Sequence, residues 1–552
     1  MNDTIRARRA QPSLSQHVLR RIPRASFLPS LLLLLVLLLF WAIALHNLTI
    51  VPPVYEDEPW QASTGWKIAT QGIFGSDLFA GFYGMDQHYY GFMPLHPFLL
   101  ALIFRIAGLG LFQTRFEVVA LGLVTLALTF SLARRLFHDW RIALLAIVFL
   151  LSVRSIGLTY IQHTGILLLD MTRIARYDML VPVFGLGALH AYLVARKHHQ
   201  ARWYAFTGLL TAGAGLAHLY GLFWLPVLII LIGWDEHGTR GELGATLAAL
   251  LFGFALPWLP YAAYVAGNIY DWRGQTRGYS NRFDLLHLGW YVENVRTELR
   301  RYGPGLGSLP AALTRIGFWS MLIALPLAFS ALAWRAARYG DRAARVIVVP
   351  LILLPILFAL LLQLKLVNYT LTIAPFAAIA VAWGGVALWD KLGHTPARRL
   401  ARIALAALLL GIGIEGITRV IALENAAQTT TPYYQFIRQV RQSIPARSRV
   451  LALHNYWFGL EDFDFRSFIV PLGWTDRQNE PRPLSFDEGL ERIAPDIVLL
   501  DERMRDYFFN IAITDDSKPR EFYRWLNAHH GTLVGRVDDP TYGLIEIYAV
   551  TH

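Results

Sequence analysis

The sequence predicts a mainly α-helical, polytopic membrane bundle of about eleven spans, with juxtamembrane helices and a small C-terminal α/β domain. Three observations predict it. Eleven apolar runs are each about as long as the roughly 20 residues that cross a hydrocarbon core. Basic clusters fall in alternate loops between those runs. After residue 424 the chain turns polar and alternates strand-like with helix-like segments.

Composition bounds the alternatives. Of 552 residues, 55% are hydrophobic and 16% charged, with a mean hydropathy of +0.40. Soluble domains carry roughly 25% charged residues, so long stretches here have no water to face. Cysteine is absent, which excludes disulfides and thiolate metal sites. The net charge of +11 does not mark a nucleic-acid partner, because the basic residues sit in short clusters between apolar runs. That is the footprint of cytoplasmic loops beside an anionic leaflet.

The runs are 27–47, 115–133, 141–160, 179–195, 203–219, 220–234, 243–266, 314–334, 345–363, 370–389 and 402–423. Residues 1–26 form a basic segment with Arg6, Arg8, Arg9, Arg20, Arg21 and Arg24. The run that follows exceeds a signal h-region of roughly 7–15 residues. It reads as a retained first span with the N-terminus inside.

The apolar stretch 94–112 is broken by Arg105 and two glycines, Gly108 and Gly110. If it lies along the outer surface, the clusters at Arg134–Arg141, Arg196–Arg202, Arg240, Arg335–Arg345 and Lys391–Arg402 all fall inside with the N-terminus. If it crosses, they flip outside. It therefore reads as juxtamembrane. The segments 48–114, 161–178, 267–313, 363–369 and 425–552 then lie outside. Within the last, strand-like runs at 449–453, 496–500, 532–537 and 544–550 alternate with helical stretches near 432–443, 486–494 and 517–529.

Candidate chemistry gathers in the external segments. The first loop opens Tyr55-Glu56-Asp57-Glu58-Pro59-Trp60. Acids before a proline suit the start of a helix. They also suit a catalytic carboxylate beside the membrane. The aromatics Trp60, Trp66, Phe74, Phe79, Phe82, Tyr83, Tyr89 and Tyr90 fit an interfacial belt or a sugar- or lipid-binding surface. Asp178, in Ala175-Arg176-Tyr177-Asp178-Met179-Leu180, starts a span. It is a helix cap or a functional acid. Lys365 and Tyr369 lie in a short hinge; Lys365 is a snorkelling cation or a phosphate contact. The third external loop is long and basic, with Arg273, Arg277, Arg282, Asp284 and His287, but shows no specific spacing. His163 and His218 stand alone and read as structural.

The order of these pieces resembles the GT-C superfamily of membrane glycosyltransferases over roughly the first 425 residues. It is closest to the branch of protein O-mannosyltransferases and lipid A aminoarabinose transferases. The resemblance implies roles for Asp57 and Glu58 as the first acidic motif and Asp178 as the second. It places Lys365 and Tyr369 at the donor phosphate. Where some relatives have Lys-Pro, this chain has Met93-Pro94, so phosphate contacts fall to Arg176, His88 or Lys365.

The implied enzyme is an inverting glycosyltransferase of the cell envelope. It takes a sugar from a polyprenyl-phosphate donor to a hydroxyl on a glycolipid, protein or glycan. Asp57 is its general base, Glu58 the partner, and Asp178 orients the acceptor. Magnesium or manganese on Asp57 and Asp178 is an optional cofactor. The expected division is a cytoplasmic segment 1–26, a transmembrane GT-C-like domain 27–424 and an extracytoplasmic domain 425–552. Two other classes stay open, a transporter or flippase and a non-catalytic envelope-assembly protein.

Overall fold

The computed structural model describes residues 27–154, 163–235, 240–280, 282–302, 316–392, 395–475, 482–506 and 517–552. The basic segment 1–26 lies outside them, as do 155–160 of the third run and 303–313 of the third external loop.

Each of the eleven runs is met by a helix. They are α1 (Phe27–Leu45), α4 (Leu111–Phe137), α5 (Trp140–Ser152), α7 (Leu180–His198), α8 (Ala201–Ala217), α9 (Trp224–Asp235), α10 (Arg240–Gly267), α14 (Ile316–Tyr339), α15 (Arg342–Leu361), α16 (Ala374–Lys391) and α17 (Pro396–Thr429). Among the described residues, seven helical stretches are long and apolar enough to cross a membrane. Leu34, Leu35, Leu38 and Leu39 on α1, Phe252, Leu256 and Leu259 on α10, and Leu410, Ile414 and Ile417 on α17 stay exposed. A soluble monomer rarely shows so continuous an apolar belt; here it faces lipid. Within the bundle, small residues set the closest approach. A Cβ on Gly208 of α8 would meet the Leu250 carbonyl oxygen at 1.9 Å, and one on Gly253 of α10 would meet that of Ala205 at 1.8 Å. These reciprocal glycines let two backbones touch where lipid supplies no hydrophobic drive.

The ambiguous stretch 94–112 splits. It forms α3 (Leu95–Ala107), and its last residues begin α4. Its thirteen residues rise about 20 Å, short of the roughly 30 Å core, a length that α5 shares. Helix α3 packs against α2 (Asp57–Gln71), where Arg105 donates to the Ile68 and Ala69 carbonyls at 3.4 and 3.2 Å. His96 of α3 meets Glu117 of α4 at 2.8 Å, both buried.

The C-terminal part is a five-stranded mixed sheet in the order β2-β1-β3-β5-β4. Strands β1 (Arg449–Ala452), β3 (Ile497–Asp501), β4 (Thr532–Asp539) and β5 (Gly543–Ala549) answer the four strand-like runs. Strand β2 (Asp464–Ser467) is additional and pairs in parallel with β1 at one edge. Its apolar face does not close on itself. One core joins Val54, Ala62, Phe79 and Phe104 of the first loop to Phe436, Leu451, Leu499 and Trp525. Arg466 donates to the Asp77 carbonyl at 2.8 Å across this junction. The loop aromatics thus serve chiefly as core: Phe79 and Tyr89 are buried, and Trp60 packs on Phe79 and on His454.

Candidate active site

The site is assembled where the end of α1, the start of α2 and the segment 173–178 meet. Two buried arginines fix that junction. Arg173 donates to the carbonyls of Ile43, Ala44 and His46 at the end of α1, and to Val51, at 2.7–3.1 Å. A guanidinium is a natural partner for the unpaired carbonyls of a helix C-terminus. Arg115 of α4 donates to Leu48 O at 2.6 Å and Pro52 O at 2.9 Å, then grips Glu58 with Nε and Nη2 at 2.8 and 2.7 Å. Glu58 also accepts from the backbone N–H of Tyr55 at 2.9 Å and of Ala175 at 3.0 Å. It is a closed tie among three segments.

Helix α2 therefore starts in a fixed place, with Asp57 in its first turn, where the positive end of the helix favours a carboxylate. Arg176 joins the two acids of the sequence motif. Its Nη1 donates to Asp57 Oδ2, its Nε to Asp178 Oδ2 at 2.8 Å, and its Nη2 to the Tyr177 hydroxyl at 3.4 Å. The Asp178 side chain is fully buried and that of Arg176 is 3% exposed, whereas Asp57 is 16% exposed. Asp57 is the member of the bridge that water or a substrate can reach. Burial pushes its carboxyl above the usual range; Arg176 pulls it down, and Asp178 and Glu58 push with burial.

An aromatic wall continues from Asp178. Tyr220 donates its hydroxyl to Asp178 Oδ1 at 3.4 Å. His218 lies 4.8, 4.5 and 5.5 Å, between ring centroids, from Tyr177, Tyr220 and Tyr369. Tyr220 and Tyr369 are 4.7 Å apart. Beyond Tyr369 stands a second charged group. Lys365 Nζ is 2.8 Å from Glu298 Oε2. Arg301 Nε donates to Glu298 Oε1 at 2.7 Å, and its guanidinium lies 5.8 Å from the Tyr369 ring. Burial lowers the Lys365 ammonium, against the pull of Glu298.

The structure thus brings Asp57, Arg176 and Asp178 together and joins them through Tyr220 to Tyr369 and Lys365. Glu58 stands behind the junction, and His88 is engaged elsewhere, 2.9 Å from Asp271. Arg115, Arg173, Tyr220, Glu298 and Arg301 have no role in the sequence reading, and His218 reads there as structural. One signal was available: the 219/220 boundary falls on the side predicted for Asp57 and Asp178. Among the described residues, no three His, Asp or Glu side chains gather as a metal cage. Between Asp57 and Asp178, the group in place is a guanidinium.

No protein-family model and no curated protein matches the sequence. Solved structures do. The Archaeoglobus fulgidus oligosaccharyltransferase, in its apo form, aligns over 96% of this chain and 75% of its own at 14% identity, with a TM-score of 0.59. The same organism's oligosaccharyltransferase AglB, in complex with an inhibitory peptide and a dolichol-phosphate, gives 0.57 at 13% identity over the same shares. ArnT from Cupriavidus metallidurans, bound to undecaprenyl phosphate, aligns over 94% of this chain and 97% of its own at 15% identity, with a TM-score of 0.58. At such identities the likeness is one of architecture, and it covers more of the chain than the roughly 425 residues that carry the sequence resemblance. The chain has the GT-C fold.

Proposed function

We propose that this chain is an inverting glycosyltransferase that moves a sugar from a polyprenyl-phosphate donor to a hydroxyl acceptor at the outer face of the cytoplasmic membrane. Asp57 carries the reading: it is the partly open carboxylate of an otherwise closed acid–arginine–acid bridge. Solved proteins of this fold hold undecaprenyl phosphate or dolichol-phosphate, which favours a lipid-linked donor. The N-terminus is cytoplasmic in this reading, and residues 425–552 face outward as a unit that shares its core with the first loop.

In the reaction, the acceptor oxygen bonds to the anomeric carbon as its proton passes to the free oxygen of Asp57. The bond from that carbon to the phosphate oxygen breaks, and polyprenyl phosphate leaves with the electron pair. Asp178, behind Arg176, orients the bridge. Lys365 and Tyr369 meet the charge that develops on the phosphate. Arg176 and His88 remain weaker phosphate contacts in this arrangement, since Asp57, Asp178 and Asp271 already hold them. A positioned general base is worth roughly 10²–10⁴-fold. Asp57→Asn should lose transfer by that factor, measured with radiolabelled lipid-linked sugar in proteoliposomes, while expression and thermal stability hold. Wild-type transfer by that variant would remove the proposal.

A further inference from the structure

The expected metal position is the place where the structure departs most from what its two acids suggest. A divalent cation shared by Asp57 and Asp178 would sit within about 2.0–2.6 Å of their oxygens and need several further oxygen ligands. Arg176 fills that space. Its Nε and Nη1 point to one carboxylate oxygen of each acid, and its Nη2 to the Tyr177 hydroxyl. The guanidinium packs 5.3 Å from the Tyr177 ring centroid and 5.6 Å from that of Tyr55, within cation–π range. It is a built part of the core and not a side chain swung in from solvent.

The buried neighbouring acid is equally committed. Glu58 spends both oxygens on Arg115 and on the Tyr55 and Ala175 N–H groups. Among the described residues no third carboxylate or imidazole joins Asp57 and Asp178.

We infer that Arg176 is the resident counter-ion of the two acids, standing where a divalent cation would otherwise bridge them, so that this site functions without a metal. The inference deepens the glycosyltransferase reading and rests on it for the word "functions". The charge count explains what the arrangement gains. Two carboxylates and one guanidinium leave one net negative charge. With a divalent ion the sum would be zero and Asp57 would be a poorer base. A single cation that bonds one oxygen of Asp57 leaves the other free to take a proton. Arg176 is therefore a positioning residue: it aims Asp57 and sets its charge.

The test uses the full chain in detergent or nanodiscs, with Mn²⁺ as the probe, followed by electron paramagnetic resonance. Wild type should bind no Mn²⁺ that depends on Asp57 or Asp178 at millimolar concentration, and chelation should change transfer less than twofold. Arg176→Ala should lose transfer at least a hundredfold and acquire one Mn²⁺ site that Asp178→Asn, added to it, removes. Arg176→Lys, which keeps the charge but not the fork, should bind no Mn²⁺ and transfer poorly. Mn²⁺ on wild type that Asp178→Asn abolishes, or transfer lost to chelation and restored by metal, would overturn the inference. So would a folded Arg176→Ala protein that takes no Mn²⁺. The wild-type binding measurement holds even if a variant fails to fold. A wild type that transfers no sugar would sink the function alone, because Mn²⁺ binding is read without it.

Discussion

The Glu58–Arg115 pair and the Asp57–Arg176–Asp178 bridge lie one residue apart along α2 and use the same two chemical groups to opposite ends. In the pair, both side chains are fully buried and every carboxylate oxygen is bonded. In the bridge, one carboxylate keeps an opening to solvent. Helical geometry accounts for the split. Successive residues point about 100° apart, so Glu56, Asp57 and Glu58 fall on three faces. Glu56 is exposed, Asp57 partly buried and Glu58 closed. What separates the anchor from the proposed reactive group here is closure, not residue type.

The largest way to break that comparison is to neutralise each side in turn. Asp57→Asn should reduce transfer by roughly 10²–10⁴-fold with little change in melting temperature. Arg115→Ala should act the other way round. It leaves Glu58 as an uncompensated buried charge, which costs about 3–5 kcal/mol, and frees the Leu48 and Pro52 carbonyls. The expected result is a large fall in denaturation midpoint, with Glu58→Gln in the same chain recovering part of it. If Arg115→Ala melted like wild type, the pair would not be the anchor of the junction.

How much of this was legible follows from range. The helices were legible because each apolar run is local, and 94–112 reads as juxtamembrane from loop charge alone. Strand β2 was not: Asp464–Ser467 is four residues with two charges at a sheet edge, too short for a period to show. Asp57, Arg176 and Asp178 stand out because motif order points at them, but their bridge joins residues more than a hundred positions apart. Arg115 stands at the start of an apolar run, but its targets are Glu58 and the carbonyls of Leu48, Pro52 and Pro53, far away in sequence. His218 looked isolated in the sequence and meets three tyrosines only after distant segments converge. The aromatics of the first loop read as a belt because their partners, such as His454, lie in the C-terminal part.

The comparison is sharpened by pH. As the proposed base, Asp57 would act only when ionised, and its pKa is raised, chiefly by burial. As pH falls, kcat/KM should therefore begin to drop at a higher pH than for an ordinary aspartate near 3.9, then fall about tenfold per unit. A flat profile from neutral pH down to 4 would argue that Asp57 is not the base.

The smallest expected effect concerns the second charged group. Glu298 holds Lys365 and Arg301 on the far side of Tyr369, much as Asp57 and Asp178 hold Arg176. Its carboxyl lies below the usual range, because the bonds from Arg301 and Lys365 outweigh the burial that opposes them. If Lys365 serves the donor phosphate, Glu298 competes with that phosphate for it. Glu298→Gln then removes the competitor without shortening the side chain. The KM for donor should fall a few-fold while kcat stays within twofold, the pattern of strengthened uniform binding of ground and transition states. A charge-assisted bond is worth about 1.5–3 kcal/mol, and part of that would be recovered because the amide can still accept from Lys365. A rise in KM would mean the reverse: the carboxylate aims Lys365 at the donor, and this group, like the Glu58 pair, is an anchor and not a reserve of charge.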